Sequence, residues 1–181
     1  MRRSFPTLIL LSLALLGTGL LAGCGGEEEE GVAVEGEPLE LGNLLYNVQI
    51  TRFLNPAGTE DSGYLEGQQP PPLGEDYLAV FMRVQNEGDE PELIPDSFTI
   101  RSSRDETFRP LDINENPFAL PLGSEIPPDG QLPAPDTAAA SGPIKGALVL
   151  YLIDEAATEN RPLELEIPGP DGETGRIELD I

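Results

Sequence analysis

Apolar and polar side chains alternate with a period of two along much of the chain from about residue 39, and this pattern constrains the fold most strongly. Successive side chains of a β-strand point to opposite faces, so the pattern predicts strands with one buried and one solvated face. No apolar repeat of 3.6 residues, typical of a helix, is sustained after Cys24. Nineteen prolines and 20 glycines favour frequent turns. We therefore predict an all-β fold.

The clearest strands lie in the middle and at the end of the chain. Residues 147–153 are apolar on both faces, which predicts a buried central strand. Residues 77–86 are apolar on both faces at first and alternate later, so this strand should emerge at its end. Residues 163–167 and 177–181 alternate with acidic side chains and are expected to pair as a hairpin.

An earlier strand is predicted to carry Tyr46, Val48 and Ile50 on one buried face. In total we expect about seven strands in a single antiparallel β-sandwich over residues 39–181. Two proline-rich insertions interrupt the strands, at 55–75 and 110–143. Loops of this length are uncommon unless they bind a partner or lack order, so the insertions are the expected binding surface, separable from the fold.

The N-terminus has the parts of an export signal. Arg2 and Arg3 precede an apolar run, residues 8–21, that is shorter than the roughly 20 residues needed to cross a membrane. The run closes on Leu21-Ala22-Gly23-Cys24, which resembles the lipobox of bacterial lipoproteins. The resemblance implies a signal peptide over 1–23, cleavage after Gly23 and a lipid on Cys24. The domain would then face the extracytoplasmic side of the cell membrane, with the general and twin-arginine export routes both open.

Residues 24–38 are predicted to be a flexible acidic linker because they are rich in glycine and glutamate, including Glu27 to Glu30. The whole chain has 33 acidic and ten basic residues and a net charge of −23. Nucleic acid is therefore excluded as a partner, since phosphate binding requires a basic surface. Cys24 is the only cysteine, so no disulfide within the chain can stabilise the domain.

The order of strands resembles the telokin-like, immunoglobulin-like domain of unknown function that is frequent in bacterial lipoproteins. The resemblance covers residues 41–167 and rests on four segments: Gly42 to Ile50, Tyr77 to Asn86, Phe98 to Ile100 and Gly142 to Ile153. The two insertions depart from the family pattern. The resemblance implies an extracytoplasmic binding or interaction module and supplies no binding residues.

The sequence contains no residue combination that indicates a catalytic site. The chain has no histidine, which excludes histidine-based triads, dyads and metal sites. Lys145, the only lysine, has no recognisable spacing to Ser102, Ser103 or Ser141 for a serine–lysine pair. Carboxylate pairs are unavoidable among 33 acids, so they do not indicate a glycosidase. We expect no enzyme activity and assign no catalytic, cofactor-binding or metal-ligating residue.

Two functions stay open. The first is a lipid-anchored interaction module that contacts another envelope protein through its loops or an edge strand. The alternative is a surface lipoprotein that binds calcium or a small solute. The loops at Glu60-Asp61 and Asp171-Gly172-Glu173 could supply oxygen ligands to calcium, although neither has the spacing of an EF-hand.

Overall fold

The computed structural model describes residues 32–181 and shows a β-sandwich. The predicted signal peptide, the cleavage after Gly23 and Cys24 lie outside these residues. The strands are Val32–Val34 (β1), Pro38–Leu41 (β2), Leu44–Leu54 (β3), Glu75–Asn86 (β4), Glu92–Leu93 (β5), Thr99–Ser102 (β6), Thr107–Phe108 (β7), Glu125–Ile126 (β8), Gln131–Leu132 (β9), Ala147–Asp154 (β10), Leu163–Pro168 (β11) and Thr174–Leu179 (β12). A short α-helix spans Ala138–Ser141, and a 3₁₀ helix spans Glu155–Glu159.

Two sheets pack face to face. One has the strand order β1-β12-β11-β6-β7, and the other has the order β10-β4-β3-β2, with β9 also pairing to β4. A two-stranded sheet of β5 and β8 lies beside them. The main core between the sheets is built from aliphatic side chains with Tyr46, Phe98 and Tyr151. Tyr151 is fully buried and its hydroxyl donates a hydrogen bond to the Phe98 carbonyl at 3.2 Å.

The all-β prediction is confirmed. Seven strands have four or more residues, and five further strands have two or three residues. The residues of β10 are buried except at its end, and β11 and β12 form the expected antiparallel hairpin, with Leu165 opposite Ile177. The pairing is not wholly antiparallel, because β1 runs parallel to β12.

The predicted buried face of β3 is wrong beyond Val48. A β-bulge shifts the register between Val48 and Ile50, so the side chains that follow point to the opposite face from the one their alternation indicates. Thr51 is 5% exposed and lies opposite Val80 of the main core, whereas Ile50 is 38% exposed. One inserted residue in the strand reverses the face of every side chain after it.

The fold also begins earlier than predicted. Val32–Val34, placed by the sequence in the flexible linker 24–38, forms β1 and pairs with β12. Glu35 continues this attachment. Its carboxylate accepts the Thr51 amide at 2.9 Å and the Asp180 amide at 3.1 Å, so it joins β3 of one sheet to the residue that follows β12 of the other.

Candidate functional site

The two proline-rich insertions form one layer on the outer face of β4 and β10. We call residues 55–74 and 110–122 the insertion layer. Tyr64 is its aromatic centre and packs edge-on against Phe81 of β4 and Phe118 of the second insertion, with ring centroids 4.9 Å and 4.8 Å away. Leu65 and Ile113 are buried in the same cluster. The insertions therefore fold onto the sandwich as a third layer.

Asn116 joins the two insertions. Its side-chain amide donates to the carbonyls of Gly63 and Tyr64 at 3.0 and 3.1 Å, and its side-chain oxygen accepts the Phe118 amide at 2.9 Å. Asn116 is 7% exposed, so these bonds are shielded from water. A buried polar side chain with its donors and acceptor satisfied fixes one arrangement of its neighbours.

The second insertion also covers the edge of β10. The Leu111 and Leu120 amides donate to the carbonyls of Leu150 and Leu148 at 2.7 and 2.8 Å, and the Leu148 amide donates to Phe118. An uncovered edge strand invites pairing with another chain. The prediction that residues 110–143 are separable from the fold is therefore wrong. These residues cover the edge of β10 and contribute Leu120 and Ile126 to the main core.

An ion pair anchors the first insertion. The Asp61 carboxylate pairs with Arg52 of β3 and also accepts the Asn55 amide at 2.8 Å. Asp61 is 4% exposed, so its charge is removed from water and balanced by the guanidinium. The sequence left this carboxylate open as an oxygen ligand to calcium, and the structure uses it in contacts inside the fold.

The proline segment 68–74 is held at both ends. The Tyr77 hydroxyl donates to the Gln69 carbonyl at 2.6 Å, and burial raises the pKa of Tyr77. A turn follows in which the Glu75 amide donates to the Pro72 carbonyl and Gly74 takes a φ of 85°, a left-handed value that suits glycine. Leu73 stands at the tip of this turn and is fully exposed. The segment displays an apolar side chain on a restrained backbone.

A polar cleft of about 710 Å³ separates the two insertions. Its walls are Glu66 to Gln68 on one side and Asp112 to Asn116 on the other. Three carboxylates, those of Glu66, Asp112 and Glu115, give it a negative lining. Across residues 32–181, no group of three or more acidic, histidine or cysteine side chains is arranged to hold a metal ion.

The serines, the lysine and the second acidic loop considered in the sequence analysis form no catalytic arrangement. The Ser102 hydroxyl donates to Glu106 at 2.9 Å, and the Ser141 hydroxyl donates to the Thr137 carbonyl. Lys145 is exposed. In the turn before β12, the Glu173 carboxylate accepts the Asp171 amide at 2.9 Å. These contacts close turns and bring no nucleophile and base together.

A second cavity, of about 470 Å³, lies at the end of the sandwich where the β2–β3 and β11–β12 turns meet. Sequence reasoning missed it, because its walls come from separate segments that only the folded topology brings together. They include Leu41, Leu44, Tyr46, Glu92, Ile94 and Pro170.

Comparison with known proteins identifies the fold only. No protein-family model and no curated protein matches the chain. The yjhA protein of Bacillus subtilis has a similar structure, with a TM-score of 0.52 and 13% identity, covering 82% of this chain and 99% of its own. An uncharacterized β-sandwich protein of Clostridium difficile 630 gives 0.50 and 14%, covering 86% and 97%.

A third similar structure is the "putative lipoprotein (ycdA)" of Bacillus subtilis, with a TM-score of 0.53 and 13% identity. The match covers 81% of this chain and 38% of that one. At these identities the similarity shows a shared β-sandwich. In the part of the chain from Val32 onward, no helix is both long and apolar enough to span a membrane.

Proposed function

We propose that the chain is a non-catalytic, lipid-anchored binding module that contacts another envelope protein through the insertion layer. The observation that carries this proposal is the way the layer is built. Asn116 and Tyr64 fix the two insertions to each other, and the restrained turn displays Leu73. A surface ordered before binding loses less conformational entropy when a partner docks.

The extracytoplasmic location rests on the N-terminal sequence. Leu21 to Cys24 has the lipobox pattern, and the similarity to a structure named as a putative lipoprotein supports this assignment. The telokin-like identity rests on the strand pattern and on the shared β-sandwich. Eight residues lead from Cys24 to Val32, and a chain of this length reaches at most about 28 Å. The domain would therefore lie close to the membrane.

The test is crosslinked affinity purification of the tagged full-length chain from intact cells. Cys24→Ser removes the anchor, and Leu73→Asp places a charge at the tip of the insertion layer. Val34→Asp is the matched control, because Val34 of β1 is an apolar residue that is 46% exposed and lies outside both the layer and the second cavity.

We expect a near-stoichiometric partner with the wild type and Val34→Asp, and its loss with Leu73→Asp and Cys24→Ser. Equal recovery with Leu73→Asp contradicts the role of the layer. No partner with the wild type contradicts the proposal as a whole. Single substitutions are required because deletion of 110–143 would remove Leu120 and Ile126 from the core.

A further inference from the structure

The cavity at the turn end of the sandwich has the size and lining of a small-molecule site. Its volume of about 470 Å³ lies within the range of roughly 300–1,000 Å³ that is typical of ligand pockets. Leu41, Leu44, Ile94 and Pro170 supply apolar walls. Leu93 borders the same space and is 63% exposed, so an apolar side chain is left in contact with water there.

The polar groups of this cavity are acidic or phenolic. Glu92 and Asp96 contribute carboxylates, and no lysine or arginine is among its lining residues within the described chain. The Asn43 side-chain amide donates to Glu92 Oε1 at 2.5 Å, which fixes this carboxylate and leaves its second oxygen available for a ligand. The electrostatics of the site therefore favour a positively charged ligand.

Tyr46 provides an independent indication that a polar ligand group belongs in the cavity. It lines the cavity and is 1% exposed, and its ring packs edge-on against Phe98 at 5.9 Å. Tyr77 and Tyr151 both donate to backbone carbonyls, whereas the hydroxyls of Tyr46 and Tyr64 have no hydrogen-bond partner within residues 32–181. Of these two tyrosines, only Tyr46 lines this cavity. Burial first and the charge of Glu92 second raise the pKa of Tyr46, so its hydroxyl stays protonated and neutral near this carboxylate.

We propose that this cavity binds a small organic cation, an ammonium or guanidinium group on an apolar stem. Glu92 pairs with the charged group, the Tyr46 hydroxyl completes its hydrogen bonding, and Leu41, Leu44 and Ile94 enclose the stem. Hydrogen bonds to charged groups are stronger than those between neutral groups, so the carboxylate selects the cation. This site is separate from the insertion layer, and the inference does not rest on the function proposed for that layer.

The test uses three probes with the same stem: pentylamine, pentanol and pentanoate. Each is titrated into the full-length chain in detergent by calorimetry, and the heat of titration into detergent alone is subtracted. We expect saturable binding of pentylamine, with pentanol and pentanoate at least about tenfold weaker. Equal binding of the three probes, or no binding of pentylamine, overturns the proposal.

Glu92→Gln keeps the shape of the side chain and an acceptor for Asn43, and it should weaken pentylamine binding roughly tenfold. Glu178→Gln removes the same charge from an exposed strand position outside the cavity and should change the affinity by less than about twofold. An unchanged affinity in Glu92→Gln overturns the assignment.

The same titration with an acetylated, amidated Gly-Lys-Gly peptide distinguishes a lysine side chain of a protein ligand from a free small cation. Binding more than about tenfold tighter than pentylamine overturns the free-solute proposal.

Discussion

Replacing Glu35 should destabilise the domain far more than its position near the predicted linker suggests. Its carboxylate accepts two backbone amides, that of Thr51 in β3 and that of Asp180 just after β12. Thr51 is 5% exposed, so its amide has little access to water when the carboxylate is removed. A hydrogen bond to a charged group contributes about 1.5–3 kcal/mol, and an exposed one contributes less. We expect Glu35→Ala to lower the free energy of unfolding by about 2–3 kcal/mol.

The assay is urea unfolding followed by circular dichroism. With a slope of about 2 kcal/mol per molar urea, the midpoint should fall by about 1–1.5 M. Glu35→Gln keeps one acceptor oxygen and should lose about half as much. Glu37→Ala is the matched control, because Glu37 is exposed and lies just beyond the contact. If Glu35→Ala and Glu37→Ala unfold at the same midpoint, residues 32–35 are not held by the sandwich and the reasoning is refuted.

Three further predictions follow from buried charge, buried phenols and the anchor. Asp61→Ala leaves Arg52 without its counter-charge and should cost about 2–3 kcal/mol in urea unfolding, and a cost below about 0.5 kcal/mol contradicts the role of the pair. Burial raises the pKa of Tyr46 and Tyr151, so stability should be retained below pH 10 and fall above it by about 1.4 kcal/mol per pH unit for each tyrosine. Tyr46→Phe should make the free energy of unfolding fall less steeply above pH 10. An unchanged dependence on pH contradicts the contribution assigned to Tyr46. Cys24→Ser should abolish incorporation of a labelled fatty acid, and labelling equal to the wild type contradicts lipidation at this residue.

The regular strands could be predicted because their pattern of apolar and polar residues matches the burial of each strand face. Residues 147–153 are apolar on both faces because β10 lies between the main core and the insertion layer. The glutamates of β11 alternate with fully buried Leu163, Leu165 and Ile167. The bulge in β3 could not be predicted, because Gln49 resembles an ordinary exposed strand residue until β4 fixes the register.

The insertions were predicted as the place of a binding surface, but their structure depends on contacts distant in sequence. Asn116 contacts Gly63 and Tyr64, more than 50 residues earlier. Val32–Val34 forms a strand because β12, near the end of the chain, pairs with it. The second cavity likewise joins Tyr46, Glu92 and Pro170 from separate segments. These contacts depend on how the fold brings distant segments together, so the residue pattern of any single segment does not predict them.

Site-specific photocrosslinking in intact cells tests the central proposal most directly. A photoreactive amino acid replaces Leu73 in the lipid-anchored chain, and a matched variant carries it at Glu178, on the exposed face of β12. We predict one dominant protein adduct from position 73 and none from position 178. Absence of an adduct at 73, or the same adducts from both positions, would contradict the assignment of the insertion layer as the interaction surface.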